Sequence, residues 1–341
     1  MKNNKCFVIA EAGVNHNGSI GLAKKLIDAA VDAGADAVKF QTFKAEELVT
    51  KSAPSAEYQR RTLNVKESQS AMLRRMELQD KDFIELKKYC DGKGIIFLST
   101  SHTESAVDIL DDLVPAFKIP SPDLTNLPLL EKVAKKQKWI ILSTGMASMK
   151  EVEEALSTIR KITKKKISLL HCTTGYPCPL EEVNLRAMVL LREKFGKKFA
   201  PMEVGYSDHT EGIFVAVAAV VMGARVLEKH FTLDKNLPGP DHKASLDPRE
   251  LEDMVKAIKS IEMAMGKAIK KPTLSEKKIK KVVRKSIVAK VNIKIGETIR
   301  KDMLSIKRPG TGIEPKYFDK IVGKKAKRNI KEDKLLEWNM I

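Results

Sequence analysis

From Phe7 onward, apolar runs of five to seven residues alternate with longer stretches in which apolar positions return every three or four residues. The first pattern is that of a buried strand, the second that of an amphipathic helix. The runs are Phe7–Glu11, Ala37–Gln41, Ile95–Thr100, Ala116–Ser121, Trp139–Thr144, Ile167–Thr173, Glu203–Ser207 and Val226–Phe231. A helical stretch fits between consecutive runs, as at Gly21–Ala33 and Glu151–Ile162. Eight strand-then-helix units predict a (β/α)8 TIM barrel. An open, doubly wound sheet is the competing arrangement with the same rhythm.

Near Met265 the rhythm breaks into a Lys-rich stretch with Pro272, and residues 266–281 read as a linker. Beyond it, residues 282–341 carry short alternating segments and Gly turns: Ile287–Lys290, Ile293–Ile295 before Gly296, and Leu304–Lys307 before Arg308-Pro309-Gly310. The expectation is a barrel over 1–265 and a small, mostly-β domain over 282–341. At roughly sixty residues without disulfides, that domain is near the lower limit for folding alone and should pack on something.

Composition narrows the class. With 43% hydrophobic and 31% charged residues, the chain suits a folded protein with an aliphatic core. Its formal charge of +18 would suit a nucleic-acid binder, solubility or an anionic substrate alike, and alone decides nothing. The clusters Lys164-Lys165-Lys166 and Lys277-Lys278 lack interleaved aromatics and any nucleic-acid motif, so they read as solvated faces, and no nucleic-acid partner is expected. Cys6, Cys90, Cys172 and Cys178 have no metal-type spacing and suit buried thiols in a reducing compartment. Without a signal-peptide core or a membrane-spanning apolar stretch, the expected location is cytoplasmic, with no membrane partner.

In a barrel the C-terminal strand ends face the active site. Here they offer Glu11 with Asn15 and His16, Lys39 with Gln41, Ser99-Thr100, Lys118 with Ser121, Ser143-Thr144, His171 with Thr173, Ser207 with Asp208 and His209, and Glu228 with His230. An unpaired ammonium in such a run is costly to bury. Lys39 and Lys118 therefore need either a bound anion or a structural carboxylate. With the nearby hydroxyls they would cradle phosphate and carboxylate groups, and no P-loop or dinucleotide fingerprint makes that anion a nucleotide tail. A single strand-end histidine is more often a hydrogen-bonded core residue than a ligand; the paired strand-end placement of His209 and His230 weakens that reading.

These residues resemble the sialic acid synthases and their legionaminic acid and spore-coat polysaccharide relatives. The resemblance spans the chain and rests on Glu11-Ala12-Gly13-Val14-Asn15-His16-Asn17-Gly18, Val38-Lys39-Phe40-Gln41-Thr42, Lys118-Ile119-Pro120-Ser121, Leu142-Ser143-Thr144-Gly145-Met146, Gly205-Tyr206-Ser207-Asp208-His209-Thr210, Glu228-Lys229-His230-Phe231-Thr232, Gly239-Pro240-Asp241-His242-Lys243 and Lys307-Arg308-Pro309-Gly310. The C-terminal region is similar to the antifreeze-like (SAF, β-clip) domain of that family.

The resemblance implies an enzyme, a transferase, that condenses phosphoenolpyruvate with N-acetylmannosamine or a close analogue. The products are a nine-carbon 2-keto acid and phosphate. N-acetylneuraminate synthesis is the first expectation and N,N'-diacetyllegionaminate synthesis the alternative. Lys39, Thr100, Lys118, Ser121, Ser143 and Ser207 match phosphoenolpyruvate-binding positions. His209 and His230 match the ligands of a Mn²⁺ or Mg²⁺ ion, and Glu11 matches a carboxylate at the reacting carbons. Gln41, Asn64, Asp123, Tyr176 and Asp241 match sugar-facing positions. Arg308 matches an arginine supplied by the partner subunit of a domain-swapped homodimer. Arg284 falls where the legionaminic and spore-coat relatives carry arginine. The chain departs from the family pattern at Ser101-His102, commonly Pro-Phe, and at Pro122-Asp123, commonly Gly-Glu. Two other readings stand: an aldolase with a Schiff-base lysine, and a protein whose basic C-terminal domain binds an anionic polymer.

Overall fold

The computed structural model describes residues 5–50, 53–54 and 68–341. Eight strands form one closed, all-parallel ring: β1 (Phe7–Gly13), β2 (Ala37–Thr42), β3 (Ile96–Ser101), β4 (Ala116–Ile119), β5 (Trp139–Ser143), β6 (Ile167–His171), β7 (Met202–Asp208) and β8 (Val226–His230). The last strand pairs in parallel with the first, from Phe7 opposite Val226 to Glu11 opposite His230. That seam rules out the open sheet. A crossover segment with one or more helices separates each strand from the next. Met149–Ile162 and Pro248–Met265 begin on capping boxes, Ser148 with Glu151 and Asp247 with Glu250, which satisfy otherwise orphaned N–H groups.

Side chains alternate in and out along a strand, so inward positions step by two. Ile9, Ala37, Leu98, Ala116, Ile141, Leu170 and Val226 form a fully buried cluster inside the barrel. Two residues further along the same strands stand Glu11, Lys39, Thr100, Lys118, Ser143, Cys172 and Glu228. The barrel thus has an apolar floor and, one layer higher, a polar ring. Gly205 belongs to the floor: a Cβ there would lie 2.3 Å from the Val226 carbonyl oxygen and 2.6 Å from Leu170 Cδ2. The absent side chain lets β7 lie close against its neighbours, with Ser207 and His209 on the inward register above. The outward faces pack against the helices in a second apolar cluster that includes Phe83, Phe117, Phe195 and Phe231.

The chain divides into two compact units, Met1–Gly266 and Lys267–Ile341. In the second, β9 (Ser286–Ala289) pairs antiparallel with β10 (Leu304–Lys307), and bridges such as Ile293 with Ile330 and Val288 with Leu335 close a small β-rich body. Ile287, Ile293, Ile299, Ile313, Ile321 and Leu336 are among its buried core residues. The stretch 266–281 is more than a linker: Leu274–Val283 is a helix that starts on a Thr273–Glu276 capping box. Lysine is a good helix former, so a Lys-rich composition does not exclude helix once a cap is present.

Candidate active site

The polar ring floors a cavity of about 220 Å³ at the C-terminal ends of the strands. Four charged side chains sit at its centre, none more than 5% exposed. Lys39 Nζ lies 2.8 Å from Glu11 Oε2 and 3.6 Å from Glu228 Oε2; Lys118 Nζ lies 3.7 Å from Glu228 Oε1. Both lysines therefore have carboxylate partners. Of the two ways to accommodate a buried ammonium, the protein supplies the carboxylate itself and leaves room for an anion beside it.

The two carboxylates titrate in opposite directions. Burial pushes Glu11 up, against the pull of Lys39. Burial would raise Glu228 as well, but the Lys118 and Lys39 ammoniums outweigh it and hold Glu228 below the usual carboxylate range. Lys118 itself is lowered, chiefly by desolvation.

The hydroxyls are polarised by their donors. Lys39 donates to Thr100 Oγ1 at 2.6 Å and Lys118 to Ser143 Oγ at 2.8 Å. The Gly145 N–H donates to Ser121 Oγ at 2.9 Å, with Cys172 Sγ 3.0 Å from the same oxygen. With lone pairs engaged, these O–H groups are free to donate into the cavity, as an anion requires. Ser207 instead donates to Glu228 Oε1 at 3.0 Å.

On the adjoining wall the rings of His209 and His230 stand 5.5 Å apart, and Tyr176 stacks on His209 at 4.2 Å. Desolvation lowers both histidines, His230 well below its ordinary value, so both are neutral. His209 Nδ1 lies 2.7 Å from the Thr173 carbonyl, to which it donates, leaving the Nε2 lone pair facing the Tyr176 hydroxyl at 3.0 Å. His230 Nδ1 is buried without a hydrogen-bond partner, 3.9 Å from Asp241 Oδ2. Desolvation raises Asp241 to about 6.

Glu11, Lys39, Gln41, Thr100, Lys118, Ser121, Ser143, Tyr176, Ser207, His209, His230 and Asp241 all line this one cavity. Gln41 donates to Glu11 Oε1 at 3.4 Å. Asp123 is not among the lining residues. Its carboxylate faces His102 Nδ1 at 3.6 Å, so the two departures from the family pattern meet each other, and it is His102 and Pro122 that line the cavity. Asn64 lies outside the described residues. Arg284 and Arg308 are exposed in the second unit, brought near each other because Gly310 packs on Arg284, where a Cβ would meet the arginine's Cβ at 2.5 Å. Glu228 is the residue that strand-end reading named without giving it a part. Its place two residues beyond floor residue Val226, level with Lys39 and Lys118, was the available signal.

The N,N'-diacetyllegionaminic acid synthase of Campylobacter jejuni is 51% identical over 97% of this chain and 99% of its own. The enzyme of that name from Legionella pneumophila is 45% identical, over 98% and 94%. Among solved structures, the N-acetylneuraminic acid (sialic acid) synthetase of Leptospira borgpetersenii superposes with a TM-score of 0.71 at 34% identity, covering 81% of this chain and 91% of that one. The sequence profile of the NeuB family matches residues 26–270, and that of the SAF domain residues 284–341. A polar ring over an apolar barrel floor, a SAF domain following it in the chain and these similarities lead to one conclusion: the chain belongs to the NeuB family of synthases.

Proposed function

We propose that this enzyme joins phosphoenolpyruvate to 2,4-diacetamido-2,4,6-trideoxymannose, with water, to give N,N'-diacetyllegionaminate and phosphate. The observation that carries the choice of sugar is the 51% and 45% identity to synthases named for that product, against 34% to the sialic acid synthetase. This reverses the order expected from sequence, in which N-acetylneuraminate came first. The anion cradle supports both products equally, since both use phosphoenolpyruvate.

In the reaction, the C2=C3 electron pair of phosphoenolpyruvate forms the bond from C3 to the aldehyde carbon, whose C=O π pair passes to its oxygen and is protonated to a hydroxyl. A water oxygen adds at C2, and the C2–O bond to phosphate breaks with its electron pair, leaving the 2-keto acid. Lys39, Lys118, Thr100, Ser121 and Ser143 hold the phosphate and carboxylate, charge-assisted donors being suited to both, and Ser207 joins them when its O–H turns from Glu228 to the anion. Glu11, raised by burial, is poised to take a proton from the water near neutral pH. Gln41, Tyr176 and Asp241 face the sugar. The Glu11 and Glu228 carboxylates keep Lys39 and Lys118 paired as ammoniums, which favours the cradle over a Schiff-base aldolase.

The donor set fits a divalent ion held by His209 and His230. Both imidazoles are neutral, the tautomer of His209 is fixed by the Thr173 carbonyl, and His230 has an unpartnered nitrogen. Among the described residues no cluster of three or more His, Cys, Asp or Glu side chains could hold an ion unaided. Water and substrate oxygens would complete the sphere of Mn²⁺ or Mg²⁺. Such an ion supplies Lewis-acid polarisation of the aldehyde oxygen.

The reading includes a cytoplasmic homodimer in which Arg308 serves the partner's barrel. Its support is the capped helix Leu274–Val283, none of whose residues is buried, with Leu274 81% and Val282 65% exposed. An apolar stripe of that kind calls for a cover, and a second copy is the occupant proposed.

The test is phosphate release with Mn²⁺, phosphoenolpyruvate and each sugar in turn, the product identified by mass. The expected result is a higher kcat/KM for the diacetamido sugar. A preference for N-acetylmannosamine would restore the first expectation, and release with neither sugar would overturn both.

A further inference from the structure

Behind the barrel wall lies a charged pair that touches neither the cavity nor solvent. Lys229 and Asp208 are 1% and 0% exposed, with Nζ 2.7 Å from Oδ2. They sit opposite each other in the β7–β8 register, on the outward positions adjoining the inward His209 and His230. Both members of the pair make further hydrogen bonds to Thr210. Lys229 also donates to the Thr210 carbonyl at 2.5 Å, while Asp208 Oδ1 accepts from the Thr210 N–H at 3.0 Å and its hydroxyl at 2.9 Å.

A buried ion pair adds little stability over an apolar pair of similar volume, so its presence asks for another explanation. The bonds fasten residues 208–210, the segment that carries His209, to the strand position next to His230. The β7–β8 ladder, the Cys178 N–H on the His209 carbonyl at 2.8 Å and the Leu246 N–H on the His230 carbonyl at 2.9 Å hold the two backbones, and the buried pair adds a side-chain tie between the strands behind the rings. A site with only two protein ligands is unusually sensitive to the separation of the two rings, because no third or fourth side chain compensates for a shift.

We infer that the Asp208–Lys229 pair, with Thr210, is the positioning element of the two-histidine centre and sets its divalent-ion affinity. The inference rests on the metal reading above. Supports outside the coordination sphere typically change metal affinity about 10- to 100-fold when removed.

The experiment is Mn²⁺ titration of the full-length protein, followed by electron paramagnetic resonance without substrates, alongside circular-dichroism melting. The wild type should bind Mn²⁺ and His209→Ala should not. Asp208→Asn/Lys229→Met, which leaves no unpaired buried charge, should bind at least tenfold more weakly while still folding; Lys229→Arg, which keeps the charge, should recover most of the affinity. A folded double variant with wild-type affinity overturns the inference and leaves the metal reading intact. Equal binding by wild type and His209→Ala overturns the metal reading, and this inference with it. Should the double variant fail to fold, Thr210→Val decides: weaker binding supports the positioning role and unchanged affinity overturns it.

Discussion

Lys39 Nζ and Glu11 Oε2 face each other across the β1–β2 seam at 2.8 Å, both buried. Together with Lys118 and Glu228 they form a cluster of two positive and two negative charges, a formal balance that a bound trianion would upset. Removing one negative charge should favour the anion. For Glu11→Gln we expect tighter binding of phosphoenolpyruvate in the absence of sugar, by calorimetry, together with a kcat lower by about 10²-fold or more, the usual scale for a lost general base. Unchanged kcat would remove Glu11 from the chemistry.

The polarised hydroxyls predict a separable effect. Thr100→Val keeps the shape beside Lys39 but removes the O–H that faces the cavity. The expected outcome is a KM for phosphoenolpyruvate raised by about tenfold, the scale of one hydrogen bond to a charged group, with the KM for the sugar nearly constant. Steady-state kinetics with each substrate varied would check it; an equal rise in both constants would place Thr100 elsewhere than in the anion cradle.

If Arg308 serves the partner's barrel, two inactive variants should rescue each other. His209→Ala spoils the barrel of its own chain and Arg308→Ala spoils the arginine it contributes. Statistical mixing by unfolding and refolding makes half of the dimers hybrid, each with one intact site, so about a quarter of wild-type activity should return. Mixtures as inactive as their parents would assign Arg308 to its own subunit or to no site.

Acid should destabilise the fold. Burial lowers His16 to about 4, and His171, His209, His230 and His242 are lowered too. The unfolded chain takes up these protons near pH 6.5 while the native state refuses them, so this stability is full above about 6.5 and is lost as pH falls towards 4. Asp241 and Glu11, both raised, act with the opposite sign, since the native state binds their protons first. We predict that the five buried histidines together outweigh the two carboxyls and carry the net sign. The shift of His16 alone corresponds to about 3 kcal/mol. Urea midpoints at about pH 7.5 and 5 should differ in that direction, and His16→Gln should narrow the gap. A higher midpoint at the acidic pH would contradict the assignment.

Which features the sequence disclosed follows from the range of the interactions. The strands were legible because a buried parallel strand is an apolar run whatever its neighbours. Their ends were less so. Ala116–Ser121 reads as one run, yet β4 stops at Ile119 and Ser121–Asp123 is a tight turn, because backbone pairing, not hydrophobicity, ends a strand. The cavity residues were legible as strand-end polar groups. The partners that fix them were not: Glu228 reaches Lys39 and Lys118 from a strand more than a hundred residues later in the chain. Lys229 with Asp208 and His102 with Asp123 are likewise pairings of geometry, invisible to local pattern.

The β1–β8 seam bears on biosynthesis. Glu11 leaves the ribosome with the first strand, whereas Glu228 and His230 come with the eighth, and only closing the ring sets them side by side. A nascent or truncated chain lacking β8 therefore holds two buried lysines with half their counter-charge and an open strand edge exposed to other chains. The four-charge cluster of the site is complete only at the moment the sheet becomes a circle.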